Sequence, residues 1–130
     1  MATETDTPAY RTYQLLIEVP EALDVSIGRL GMRHFPAGLY CYTGSAVRNF
    51  EARIRRHLAP EKKMHWHIDY LLAAPGVRVR EVRRHGDGEC LVNQRVLGQI
   101  VVPGFGASDC AAHCGSHLKR VDALSRGAQS

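Results

Sequence analysis

The chain is predicted to fold as a small α+β domain: a mixed or antiparallel central sheet of three to five strands, flanked by helices. Three observations point there. Strand-forming apolar runs, Tyr13–Val19 and Gly38–Thr43, group early in the chain. Helical patterns follow them and alternate with one later strand. Finally, 130 residues with 45% hydrophobic composition hold enough apolar material for one core. The 23% of charged residues, 12 Gly and 6 Pro are ordinary values and exclude disordered, collagen-like or coiled-coil chains. No apolar run approaches the ~18 residues that a membrane span needs.

Each element has its own local warrant. Residues 1–8 are polar, contain Glu4 and Asp6, and read as a disordered segment without the basic start and apolar stretch of a secretion signal. Tyr13–Val19 (YQLLIEV) is rich in strand formers and closed by Pro20. Leu23–Leu30 alternates weakly and breaks at Gly28 and Gly31, which predicts a second strand or hairpin arm. Gly38–Thr43 (GLYCYT) is the third strand, ended by Gly44 and Ser45. Asn49 is placed to cap a helix with Phe50, Ile54 and Leu58 as its buried stripe, stopped at Pro60. A second helical stretch, Met64 to Ala74, ends at Pro75-Gly76. Val77, Val79 and Val82 mark a fourth strand with outward arginines, and Glu89 to Leu97 reads as a third helix. Val101, Val102 and the loop PGFGASDC follow, and the domain is expected to span 9–118, with 119–130 a flexible tail.

The balance of 17 Lys and Arg against 13 Asp and Glu gives a net charge of +4. That excess permits binding to a polyanion without requiring it. Its distribution is more telling: Arg48, Arg53, Arg55, Arg56, His57, Lys62 and Lys63 crowd one stretch. Arginine's planar fork suits bidentate phosphate contact, and the plainer reading is a solvated helix face. The four cysteines, in a chain lacking an export signal, read as thiols or metal ligands rather than disulfides. Cys110, Cys114 and His117 have near zinc-ligand spacing, with His113 or Cys90 as a fourth; buried or oxidisable thiols are the alternative. A soluble cytoplasmic protein is expected.

Candidate chemistry gathers at a few positions. Tyr40 and Tyr42 share one face of their strand, and Tyr13 lines the same face if the two strands pair. Arg53 and His57, four apart, project from one flank of the first helix, a combination suited to a phosphodiester whose charge grows in the transition state. Glu89 opens the third helix either as a capping acid or as a hard oxygen ligand for Mg²⁺. The Gly104-Phe105-Gly106 turn either meets a nucleic-acid backbone through its amides or closes the sheet.

Together these segments resemble the GIY-YIG nuclease superfamily. More closely, Tyr13–Leu118 is similar to the DUF123 family, small GIY-YIG-like domains sometimes fused to endonuclease III-type DNA glycosylases. The similar segments are YQLLIEV, FPAGLYCYTGSA followed by RIRRHL, KKMHWHIDYLL, the GEC at Gly88–Cys90, and PGFGASDC leading to SHL. The resemblance implies a GIY-YIG-like fold and a divalent-metal-dependent nuclease hydrolysing DNA phosphodiester bonds, with DNA repair as the expected setting. It places Tyr13 as the first-motif tyrosine, although the tripeptide reads Arg11-Thr12-Tyr13, and Tyr42-Thr43-Gly44 as the second motif. Arg53 then stands for the catalytic arginine, His57 and His65 for active-site histidines, and Glu89 for the glutamate that binds Mg²⁺ or Mn²⁺. Gly44, Ser45, Arg48, Arg55, Arg56 and Lys63 are expected to contact substrate. The alternative is a non-catalytic nucleic-acid-binding module beside a DNA-repair enzyme such as a glycosylase, with DNA as partner and RNA left open.

Overall fold

Alternation along the first strand decides the layering. In the computed structural model, which describes residues 10–46, 48–59, 64, 66–106 and 115–121, the elements run β1 (Thr12–Val19), β2 (Leu23–Ser26), β3 (Met32–Phe35), β4 (Gly38–Ser45), α1 (Phe50–Leu58), α2 (His67–Leu72), β5 (Arg78–His85), α3 (Glu89–Gln94), β6 (Gln99–Ile100) and β7 (Leu118–Val121). Five strands form one antiparallel sheet in the order β5-β1-β4-β7-β6, and β2 and β3 form a separate two-stranded sheet. The fold is therefore α+β with helices on an antiparallel sheet, as predicted.

Register puts the phenols together. Tyr13 pairs with Gly44, Leu15 with Tyr42 and Ile17 with Tyr40, so Tyr13, Leu15, Ile17, Val19, Tyr40 and Tyr42 share one face. With Leu118 of β7 beside Tyr42, that face packs on Ile54 of α1, Ile68 and Leu71 of α2, and Phe35 and Phe105 to form the core. Each fully buried aliphatic chain there contributes roughly 1.5–3 kcal/mol. On the other face Gln14 bridges Thr43 (3.4 Å) and His85 (2.7 Å). α3 packs against β1 and β4. It is held by Lys119 Nζ, which donates to the Asn93 and Val96 carbonyls at 2.8 and 3.2 Å.

The broken alternation of the fourth predicted strand has a structural cause. Leu16 pairs with Glu81 but Ile17 pairs with Val79, so Arg80 is an extra, bulged residue. The bulge returns both Val79 and Val82 to the core side of β5. Exposed Arg78, Arg80 and Arg84 line this edge strand, and charge there opposes edge-to-edge pairing.

Five expectations are corrected. The predicted arm Leu23–Leu30 is β2 followed by a short 3-10 turn, Gly28–Leu30, and its partner β3 was not anticipated. The buried residues of α1 are Ile54 and His57, whereas Leu58 is 50% exposed, because the helix turns its imidazole toward Tyr13 and Trp66. Asn49 does not cap through its side chain; it adopts a left-handed conformation (φ 56°) and its carbonyl accepts from Arg53 N. α2 and α3 are shorter than the predicted Met64–Ala74 and Glu89–Leu97: Asp69 accepts the Trp66 amide and so makes Trp66 the N-cap at which α2 begins, and Leu97 lies beyond the end of α3, out in solvent. Residues 119–121 belong to no tail: Lys119, Arg120 and Val121 pair with β4. The predicted segments 1–8 and 122–130 lie outside the described residues.

Candidate functional site

The site forms where β1 begins and β4 ends. These strand ends are neighbours, Thr12 pairing with Ser45, and α1 follows β4 closely enough to fold back over them. The Tyr13 hydroxyl lies 2.7 Å from His57 Nε2, with the Tyr42 ring 6.5 Å from that of Tyr13 and 6.4 Å from that of His57. Gly44 makes room for this pair. A Cβ there would come within 2.6 Å of the Tyr13 hydroxyl oxygen, so the phenol occupies the space a side chain would take.

Ser45 joins the basic and acidic halves. Its carbonyl accepts from Arg53 Nη1 at 3.1 Å, and its hydroxyl donates to Glu89 Oε1 at 2.6 Å. The other carboxylate oxygen, Oε2, is 2.5 Å from His117 Nδ1. Tyr13, Tyr42, Arg53, His57 and Glu89 are thus brought to one end of the sheet from four separate elements.

Burial sets the electrostatics of the phenols. It pushes the Tyr13 hydroxyl up to about 12, against the charge and hydrogen bonding of Arg53 and with a further push from Glu89 and Asp69. Tyr42 is raised well above its ordinary value, by burial first and then by Tyr13. Glu89 goes the other way. Burial alone would raise it, but hydrogen bonds from His117 and Ser45, with the charge of His117, hold it below the usual carboxylate value. The two kinds of group are thus pushed in opposite senses: burial favours the neutral phenols, and hydrogen bonding favours the Glu89 carboxylate.

A second layer fixes Arg53 and His57. Trp66 has the Arg53 and Arg56 guanidinium carbons each 4.5 Å from its ring centroid, and its ring is 6.0 Å from that of His57. Arg56 forms a fork on the fully buried Asp69 at 2.9 and 3.0 Å. Asp69 Oδ2 also accepts the Trp66 amide at 2.8 Å, which ties α1 to the start of α2. Arg56, expected at the substrate, is thus committed to Asp69; Arg48 and Arg55 are the members of that set that stand exposed. Lys63, His65, Cys110, Cys114 and His113 lie outside the described residues. Phe105 is fully buried in the core, so its turn closes the fold, and Gly106 N donates to His67 Nδ1 at 2.9 Å.

A family model described as "Domain of unknown function DUF123" matches residues 12–129. The chain belongs to the DUF123 family. No curated protein and no solved structure matches it. The match takes in every element of the fold from β1 to β7 and every residue of the site. In this DUF123 domain, sequence reasoning missed Trp66, Asp69 and the pairing of His117 with Glu89. For the first two a signal existed: Trp66 and Asp69 stand in the N-cap and N3 positions where a carboxylate reaches back to the cap amide. For His117 there was none, because its partner lies 28 positions away.

Among the described residues, no group of three or more His, Cys, Asp or Glu side chains is placed to hold a metal ion, and no helix is long and apolar enough to cross a membrane. One carboxylate can still serve a hard cation. Mg²⁺ typically takes one or two carboxylates and keeps several waters. Glu89 is ionised, its side chain is 26% exposed, and each oxygen keeps a lone pair beyond its hydrogen bond to Ser45 or His117. The donor set fits an ion of that kind.

Proposed function

We propose that this domain is a divalent-metal-dependent nuclease of GIY-YIG type that hydrolyses DNA phosphodiester bonds. The observation that carries the reading is the double use of Ser45, which draws Arg53 and Glu89 together beside the Tyr13–His57 pair. Arg53 is the cation for the phosphate charge that develops in the transition state. Glu89 holds Mg²⁺ or Mn²⁺, which when bound supplies Lewis-acid stabilisation of the phosphoryl oxygens. Exposed Arg48 and Arg55 add sequence-independent affinity for the backbone.

Tyr13 and His57 handle the proton. A phenol held near 12 is a weak base in the sense that its phenolate is scarce at neutral pH. The 2.7 Å contact removes the need for a free phenolate. As a water oxygen bonds to phosphorus, its proton passes to the Tyr13 oxygen and the Tyr13 proton passes to His57 Nε2. The bond from phosphorus to the leaving oxygen breaks, and that oxygen departs with the electron pair. The net base is the imidazole, and Tyr13 is its reach into the site.

One observation favours a second reading, a non-catalytic nucleic-acid-binding module: both Glu89 oxygens already have protein partners. Plasmid and branched DNA incubated with Mg²⁺ or Mn²⁺ separate the two. Cleavage by the wild type, lost in Glu89→Ala and Arg53→Ala while binding persists, supports the nuclease. Binding without cleavage across substrates and metals favours the module.

A further inference from the structure

Next to the Tyr13–His57 pair lies an aromatic ledge that the chemistry above does not use. Tyr10 stacks on Phe50, with ring centroids 6.1 Å apart and planes 28° from parallel. Phe50 in turn meets the Tyr13 ring edge-on at 5.9 Å. Tyr10 is 39% exposed although it is an aromatic residue seated directly beside the core. Its main chain is held in place from both sides: the next residue, Arg11, donates its amide to His85 O at 3.0 Å and accepts at its carbonyl from Ala46 N at 3.1 Å.

The surroundings favour an anion. Arg11, next to Tyr10, and Arg48, two residues before Phe50, are exposed and are matched by no acid in the ion pairs among the described residues. Glu51, which would repel a phosphate, is neutralised by Arg84 through two contacts of 2.8 Å. A partly exposed aromatic face with exposed arginines close by in the chain fits a nucleobase carrying its own phosphates.

We infer that the Tyr10–Phe50 stack seats an unpaired nucleobase beside the phosphate bound at Arg53, so that the substrate is a single strand or a duplex with an unpaired end. This deepens the proposed function and presupposes its phosphate site. The reason for an unpaired base is steric. Inside a duplex both faces of a base are covered by its neighbours; a blunt duplex leaves a face free only at its two ends, whereas a single strand can offer one to Tyr10 at every base. Phe50 and Tyr13 are the two rings between Tyr10 and the His57 imidazole, in centroid steps of 6.1, 5.9 and 5.3 Å, so the seated base belongs to the same bound strand as the reacting phosphate.

The test measures binding with cleavage switched off. Fluorescein-labelled DNA, as a single strand and as a blunt duplex of equal length, is titrated with the full chain in EDTA and followed by anisotropy. The wild type is expected to prefer the single strand. Tyr10→Ala and Tyr10→Leu are expected to weaken single-strand binding about tenfold, the scale of one base–aromatic stack, while duplex binding and the melting temperature hold. Tyr10→Phe, which keeps the ring, is expected to bind as the wild type. Leucine still covers Phe50, so a loss in both Ala and Leu variants identifies the π face rather than a packing role.

Equal losses on single strand and duplex, or no loss on either, overturn the seat. Absence of all DNA binding overturns the seat and the nuclease together. Ring-dependent single-strand preference in a protein that never cleaves keeps the seat and removes the nuclease. Cleavage with no such preference does the reverse.

Discussion

Tyr13 and His57 stand 44 positions apart in the chain, and the structure sets the phenol oxygen 2.7 Å from the imidazole Nε2. Arg53, one helical turn before His57, acts on the same phenol while holding the Ser45 carbonyl. A proton donor, a proton acceptor and a fixed positive charge therefore share one contact.

Removing the Tyr13 hydroxyl should stop proton transfer without emptying the site. Tyr13→Phe is expected to lower single-turnover cleavage by about 10²-fold or more, with DNA binding in EDTA unchanged. Because the two side chains act as one unit, adding His57→Gln to Tyr13→Phe should cost little more than either change alone. Losses that multiply in the double variant would show that the residues work separately.

Gly44 should tolerate no side chain. Gly44→Ala places a Cβ 2.6 Å from the Tyr13 oxygen and 2.7 Å from its Cζ. The ring must move, at a cost of about 1–3 kcal/mol by the scale of overpacked cores, and the His57 contact must open. Urea unfolding and cleavage assays should both register the change. A variant of wild-type stability and activity would mean that the close approach does not constrain Tyr13.

Arg56 should behave as a structural residue. Asp69 is fully buried, and Arg56→Ala removes the guanidinium fork from its carboxylate; taking one partner from a buried pair typically costs about 3–5 kcal/mol. Equilibrium unfolding should show that loss. Intact stability together with weakened DNA binding would return Arg56 to the substrate-contacting set.

Stability should fall in alkali. Burial raises Tyr13 and Tyr40 from 10.0 to about 12 and lifts Tyr42 well above its ordinary value. The folded state favours the neutral phenols, so their contribution is complete below pH 10 and is lost as pH climbs from 10 through about 12. Urea midpoints measured across that window should decline, with phenolate absorbance of these residues rising as the fold opens. A flat midpoint would mean that the phenols ionise in the folded chain as readily as in the unfolded one.

Legibility along the chain followed the reach of each interaction. YQLLIEV and GLYCYT were readable as strands because their apolar alternation is local, and that same alternation placed Tyr13, Tyr40 and Tyr42 on one face. LKRV at Leu118–Val121 was not readable: two of its four residues are cationic, and only pairing with β4 makes it a strand. α1 shows the limit within one element. Its helical period was visible, yet Phe50, Ile54 and Leu58 looked like the buried stripe until Tyr13 and Trp66 offered His57 a place inside.

Residue chemistry alone already fixed the strand-then-helix order, the family likeness and the types of group at the candidate site: phenols, guanidinium, imidazole and a lone acid. Partners were settled only by the folded chain. Arg53 and Arg56 are the same residue type on one helix, yet one bonds a strand-end carbonyl and the other a buried carboxylate. Glu89 could have been a plain helix cap, and it became part of the site when Ser45 and His117 closed on it. The reason is range: hydrophobic periodicity acts over a few residues, whereas a hydrogen bond between positions 28 or 44 apart forms only after the sheet has brought its strand ends together.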